Sequence, residues 1–78
     1  MQLVIVTPTK KEIITIAWIE LNTPTGNYVI QPGHAPTILA LSKEQPLMYC
    51  LKNGKQEIVM VKQGIAQITR NQVTVLLN

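Results

Sequence analysis

The sequence predicts an all-β fold, a sandwich or barrel of short strands. Three observations carry this expectation. Proline, glycine and asparagine cut the 78 residues into short apolar runs at the spacing of a β-sandwich. No segment shows an apolar i, i+3, i+4, i+7 stripe long enough for a helix. Asn53-Gly54 stands between two strand-like runs, the strongest hairpin signal a short sequence carries. The spacing gives roughly eight to ten strands in one domain, residues 1–78.

Leu3 to Val6 forms the first strand, closed by Thr7-Pro8-Thr9, because proline has no N–H for a ladder. The run Glu12 to Leu21 is apolar on both faces at period two. Ile14, Ile16 and Trp18 face one way; Ile13, Thr15, Ala17, Ile19 and Leu21 face the other. A bend or bulge near Thr15, splitting the run in two, would let each half bury a different face. Asn22 to Asn27 reads as a loop, followed by the strand Tyr28–Ile30. Pro32 to Pro36 reads as a surface loop, in which two prolines fix φ and one glycine frees it. Thr37–Leu41, Leu47–Leu51, Lys55–Val61, Ile65–Thr69 and Val73–Leu77 complete the strands. The turns between them are Ser42–Pro46, Lys52–Gly54, Gly64 and Arg70–Gln72.

Composition excludes several classes. Apolar residues make up 46% of the chain and charged residues only 14%, which argues against disorder. The longest apolar runs fall far short of the ~20 residues that span a bilayer. Met1 to Val4 shows neither a cationic region nor a cleavage site, so no signal peptide is expected. A chain this short buries only about 60% of its unfolded surface, so every exposed apolar face asks for a partner. The net charge of +3 permits nucleic-acid binding. The lysines are scattered, however, and the aromatics number only Trp18, Tyr28 and Tyr49, so neither clustering nor stacking recommends it.

No catalytic site assembles from these residues. His34, Glu12, Glu20, Glu44 and Glu57 lie in separate segments, whereas acid–base chemistry needs such groups within reach of one substrate. Cys50 is read as a small core residue rather than a nucleophile paired with His34. One His, one Cys and no Asp make no conventional zinc site, and no phosphate-binding glycine motif precedes a helix. The chain is read as a non-enzyme without metal or cofactor.

The stretch Thr25-Gly26-Asn27-Tyr28-Val29-Ile30-Gln31-Pro32-Gly33-His34-Ala35-Pro36 resembles the signature of the epsilon subunit of F-type ATP synthases, called delta in mitochondria. That signature reads Gly-Glu-Leu-Gly-Ile-x-Pro-Gly-His-Ala-Pro, and Gly26, Ile30 and all of Pro32–Pro36 match it. Leu3–Pro8, Ile16–Leu21, Gly64–Ile68 and Asn71–Leu76 are similar to the family's flanking strands in order and spacing, with one residue missing near Lys10-Lys11.

The resemblance implies a flattened sandwich of about ten strands in two five-stranded sheets. It implies a non-catalytic rotor subunit at the foot of the central stalk, binding the gamma subunit and the membrane c-ring and coupling proton-driven rotation to ATP synthesis. It further implies a peripheral position on the cytoplasmic face of a bacterial inner membrane, without lipid insertion. The residues carrying the c-ring contact map to Gly26, Asn27, Tyr28, Pro32, Gly33, His34, Ala35 and Pro36; the gamma interface stays unassigned.

Two departures stand out. Asn27 occupies the family's acidic position, so a basic loop there would lose a charged partner. Most members continue into a two-helix segment that inhibits ATP hydrolysis, whereas this sequence ends at Asn78 with the sandwich.

Other readings remain open beside the resemblance. His34 is either a solvated turn histidine or an interface residue, and Trp18 either core or an exposed anchor for gamma. Lys10-Lys11 is read as a charged turn, and Arg70 has no assignment. The alternative functions are a small basic β-barrel binding nucleic acid, or a structural relative serving another complex.

Overall fold

In the computed structural model, which describes residues 1–78, the chain forms eight strands and no helix. They are β1 (Gln2–Val6), β2 (Lys11–Thr23), β3 (Gly26–Ile30), β4 (Thr37–Ala40), β5 (Gln45–Leu51), β6 (Gln56–Val61), β7 (Gly64–Ile68) and β8 (Gln72–Leu77). One hydrogen-bonded path runs β4-β7-β8-β1-β2-β5-β6, with β3 also on β2. All pairs are antiparallel except β1 with β8.

The 13-residue β2 folds that path into two layers. Its first part, Lys11 to Thr15, pairs with β1 in the sheet that also holds β8, β7 and β4. Its second part pairs with β5 from Ile16 to Glu20 and with β3 from Ile19 to Thr23, and β6 closes that sheet. The register shifts between Ile16 and Trp18. There the buried phase changes: Ile16 is sealed before the shift, Ile19 and Leu21 after it. A bulge adds one residue to one strand and so exchanges its faces. The bulge lies just past Thr15, and it bends the run without breaking it. One strand thus serves both layers, five strands in the first sheet and four in the second, so the chain has eight rather than the ten of the resemblance.

The core lies between the layers. It takes Leu3 and Ile5 from β1, Ile16, Ile19 and Leu21 from β2, Ile30 from β3, and Ile68, Val73 and Val75 from β7 and β8. Leu41, Leu47, Val61 and Ala66 complete it. Each fully buried aliphatic side chain contributes about 1.5–3 kcal/mol.

Two expectations change. Asn22 to Asn27 is a hairpin rather than a loop: Asn22 pairs with Asn27 and Thr23 with Gly26. The Thr23 hydroxyl donates to the Gly26 carbonyl at 2.8 Å and accepts from the Thr25 N–H at 3.2 Å, which closes the turn. Trp18 is only half-buried and stands outside the core cluster, because the bulge turns it to the outer face of the second sheet. Cys50, its cross-strand partner, is buried at 6% exposure, as expected of a small core residue.

Lys10 does form a charged turn, its Nζ 2.8 Å from Glu12 Oε1 while Thr7 Oγ1 accepts from its N–H. Gly64 permits a close approach. A Cβ there would lie 2.5 Å from the Leu76 carbonyl oxygen and 2.7 Å from a Leu77 methyl. Gly64→Ala is expected to lower the urea-unfolding free energy by about 1–3 kcal/mol, since backbone cannot yield as a side-chain tip can; an unchanged midpoint would contradict this packing.

Burial first, then the Glu57 and Glu12 carboxylates, raise the Tyr49 phenol above its ordinary range. The unfolded phenol therefore ionises at lower pH than the folded one. Stability falls as pH climbs through the ordinary phenol range of about 10 toward the folded value. Tyr49→Phe should flatten that alkaline decline in thermal melts.

Candidate functional site

Strand β3 holds the two halves of the expected contact surface apart. Gly26, Asn27 and Tyr28 begin it, and Pro32 to Pro36 follow its far end. At ~3.3 Å per residue, four steps of strand separate the two loops by roughly 13 Å.

At the near end, alternation gives Asn27 and Tyr28 opposite fates. Tyr28 pairs with Leu21 and packs on the core, its hydroxyl 3.4 Å from Thr25 Oγ1. Asn27 faces outward opposite Asn22. Asn22 Nδ2 donates to the Pro46 carbonyl at 2.9 Å, and a carbonyl only accepts, so its Oδ1 is left facing Asn27. Asn27 Nδ2 then donates to Asn22 Oδ1 at 2.9 Å and to Glu20 Oε1 at 3.0 Å. The amide at position 27 is thus occupied, and the carboxylate of this corner sits on Glu20, one strand away. Beside it opens a polar recess of about 600 Å³, lined by Asn22, Gly26, Asn27, Ser42 and Lys43 among others, with no hydrophobic wall.

At the far end, Pro32, Gly33, Ala35 and Pro36 are exposed and His34 is half-buried. Gly33 adopts φ 86°, the left-handed region that glycine favours. Its N–H donates to the Arg70 carbonyl at 2.7 Å, and the His34 N–H to the Gln31 carbonyl at 3.2 Å. His34 Nδ1 lies 2.7 Å from the Ala35 carbonyl oxygen. That oxygen can only accept, so Nδ1 carries a proton, and in the neutral tautomer this contact selects, Nε2 is the acceptor.

The outer faces of both sheets carry exposed apolar side chains. On the second sheet a cross-strand row runs Val29, Glu20, Met48, Ile58, with Met60 beside Pro46 in the next row. Val29, Ile58 and Met60 are 50%, 66% and 63% exposed. On the first sheet Ile13, Ile38, Ile65 and Leu76 are exposed. Tyr28 and Tyr49 pack on the core, so the aromatics form no common stacking face with the lysines.

No group of three or more His, Cys, Asp or Glu side chains comes together as a metal site. No helix is long and apolar enough to cross a membrane.

Sequence reasoning missed the Glu20–Asn27–Asn22 network because the hairpin register was not seen; the Thr-Pro-Thr-Gly turn was its available signal. The Arg70 brace on Gly33 is a backbone contact between distant segments and leaves no sequence signal.

A profile described as "ATP synthase, Delta/Epsilon chain, beta-sandwich domain" matches residues 1–78. The ATP synthase epsilon chain of Acinetobacter baumannii (strain AYE) is 41% identical over 51 residues, 65% of this chain and 36% of that one. The epsilon chain of Nostoc punctiforme is 34% identical over 58 residues, 74% of this chain and 42% of its own length. The matches thus span well under half the length of those curated relatives.

Among solved structures, a chain of the Euglena gracilis mitochondrial ATP synthase (OSCP/F1/c-ring, rotational state 1) superposes with a TM-score of 0.85 at 20% identity. The match covers 96% of this chain and 48% of that one. A chain of the Tetrahymena thermophila mitochondrial ATP synthase central stalk/c-ring superposes at 0.80 with 19% identity, covering 99% and 62%. At such identities these two matches establish the fold.

The amide network yields a test of the Asn27 departure. Asn27→Asp would set a second carboxylate against Glu20 and lose both donated bonds. Stability should fall by about 1 kcal/mol at neutral pH. The like-charged pair has a raised carboxyl pKa, so the loss should shrink as pH falls and the pair protonates, and Glu20→Gln should relieve it. Denaturant melts across pH 4–7 check both arms.

Proposed function

The chain belongs to the ATP synthase delta/epsilon chain β-sandwich family, and on that premise we propose that it is the sandwich of a non-catalytic central-stalk subunit of an F-type ATP synthase. In this reading it binds the gamma subunit and rests on the c-ring, helping to couple rotation to ATP synthesis at the cytoplasmic face of a bacterial inner membrane. The observation that carries the reading is the family match over the whole chain, together with an exposed, internally braced Pro32–Pro36 loop.

The loop suits docking. Its prolines limit backbone freedom before any contact forms, which lowers the entropy lost on binding. His34 offers Nε2 to a donor on the c-ring. Gly26 and Asn27 supply a second, separate contact around the Glu20 carboxylate, while Tyr28 supports that corner from the core side.

The gamma subunit is assigned to the outer face of the second sheet, where Val29, Met48, Ile58 and Met60 form an apolar surface beside Trp18. Exposed apolar area of this kind on so small a domain marks an interaction surface. The inward turn of both tyrosines argues against the nucleic-acid reading, which needs stacking faces.

Capture of gamma and of gamma–c-ring subcomplex from the same source tests the assignment. His34→Ala should weaken c-ring docking while the thermal melt stays unchanged, because its ring bonds only within its own loop. Ile58→Asp should weaken gamma capture about ten-fold or more by placing a charge in an apolar contact. Undiminished capture by either variant would retire the surface it probes.

A further inference from the structure

We propose that Arg70, on the turn whose backbone braces the His34 loop, is a charged docking determinant that receives a carboxylate from the partner protein. The inference rests on the reading of Pro32–Pro36 as a docking loop and adds a residue that the family signature does not include.

Arg70 occupies the turn between β7 and β8, and that turn is tied on three sides. Thr69 donates to the Gln72 carbonyl from both its N–H and its hydroxyl, at 2.8 and 3.2 Å. The Arg70 carbonyl accepts from Gly33 at 2.7 Å, and the Asn71 carbonyl accepts from Gln2 at 3.0 Å. The backbone of Arg70 is therefore fixed against the loop that presents His34, while its side chain is exposed.

Every acidic side chain, four glutamates in all, is accounted for elsewhere. Glu12 pairs with Lys10 and Glu57 with Lys55. Glu20 is held by Asn27 near the opposite end of β3. Glu44 lies on the β4–β5 connection, which Ser42 ties to Asn22 at that same opposite end. The guanidinium thus has no internal ion pair, and neither its own turn nor the loop that the turn braces carries an acidic residue.

An arginine is charged at all working pH values and presents a planar fork of donors matched to a carboxylate. Mounted on a braced turn, it loses little backbone freedom on contact. The geometry fits an acidic side chain of a protein surface, with His34 Nε2 taking a neighbouring donor. At a wet rim its effect falls on association rate and salt dependence.

The test measures association of the full chain with gamma–c-ring subcomplex from the same source at low and high salt. Arg70→Gln, Arg70→Lys and His34→Ala are compared with the parent sequence. Arg70→Gln should slow association about ten-fold at low salt and flatten the salt dependence. Arg70→Lys should restore the salt dependence, and all melts should match, since only the Arg70 carbonyl enters the fold.

If Arg70→Gln associates like the parent while His34→Ala is weakened, Arg70 has no docking role and the loop reading survives. If neither variant differs, or the parent does not bind, both fall. Weakening without a change in salt dependence would mark a structural effect and overturn the proposal. Arg70-dependent capture of single-stranded DNA at low salt, in place of the subcomplex, would assign the site to phosphate and overturn it as well.

Discussion

The exchange of buried faces within β2 is the constraint on which the architecture depends. A strand of period two has one inside and one outside, and thirteen residues in a single phase would extend one sheet past any core this chain could fill. The register shift between Ile16 and Trp18 lets Ile14 and Ile16 face the core before it and Ile19 and Leu21 after it. Two sheets are thereby joined covalently through their middle, with no connecting loop. Trp18, the side chain displaced by the shift, is carried to the outer surface, where it adds to the apolar face.

That outer face follows from the same limitation of size. Fifteen apolar residues are buried, and several of the remaining large ones stand on the outer rows of the two sheets. In an isolated antiparallel sandwich those rows would be polar. Here they alternate with single polar groups such as Glu20 and Gln67, so the surface is apolar enough to bind and polar enough to be selective.

The two ends of β3 divide the polar work. One end carries a closed amide–carboxylate network in which donors and acceptors are matched, so its charge is placed by the hairpin register. The other carries a proline-rich loop held by backbone bonds to the β7–β8 turn, so its side chains are free to face a partner. The two ends are independent, so a contact at one corner leaves the other unstrained.

Much of this was legible in the residues. Period-two alternation, the Asn53-Gly54 turn and the Pro32–Pro36 loop are local signals, determined by φ preferences and side-chain phase, and the strands lie close to where those signals put them. The need for a bulge in the Glu12–Leu21 run was also visible, since both faces were apolar. What the tertiary structure alone decided is non-local. The place of the shift, between Ile16 and Trp18, depends on where β5 and β3 take up pairing. The Asn22–Asn27 corner became a hairpin and Trp18 turned outward for the same reason. The meeting of Gly33 with Arg70 joins segments far apart in sequence through backbone atoms, which every residue carries alike and no sequence can advertise.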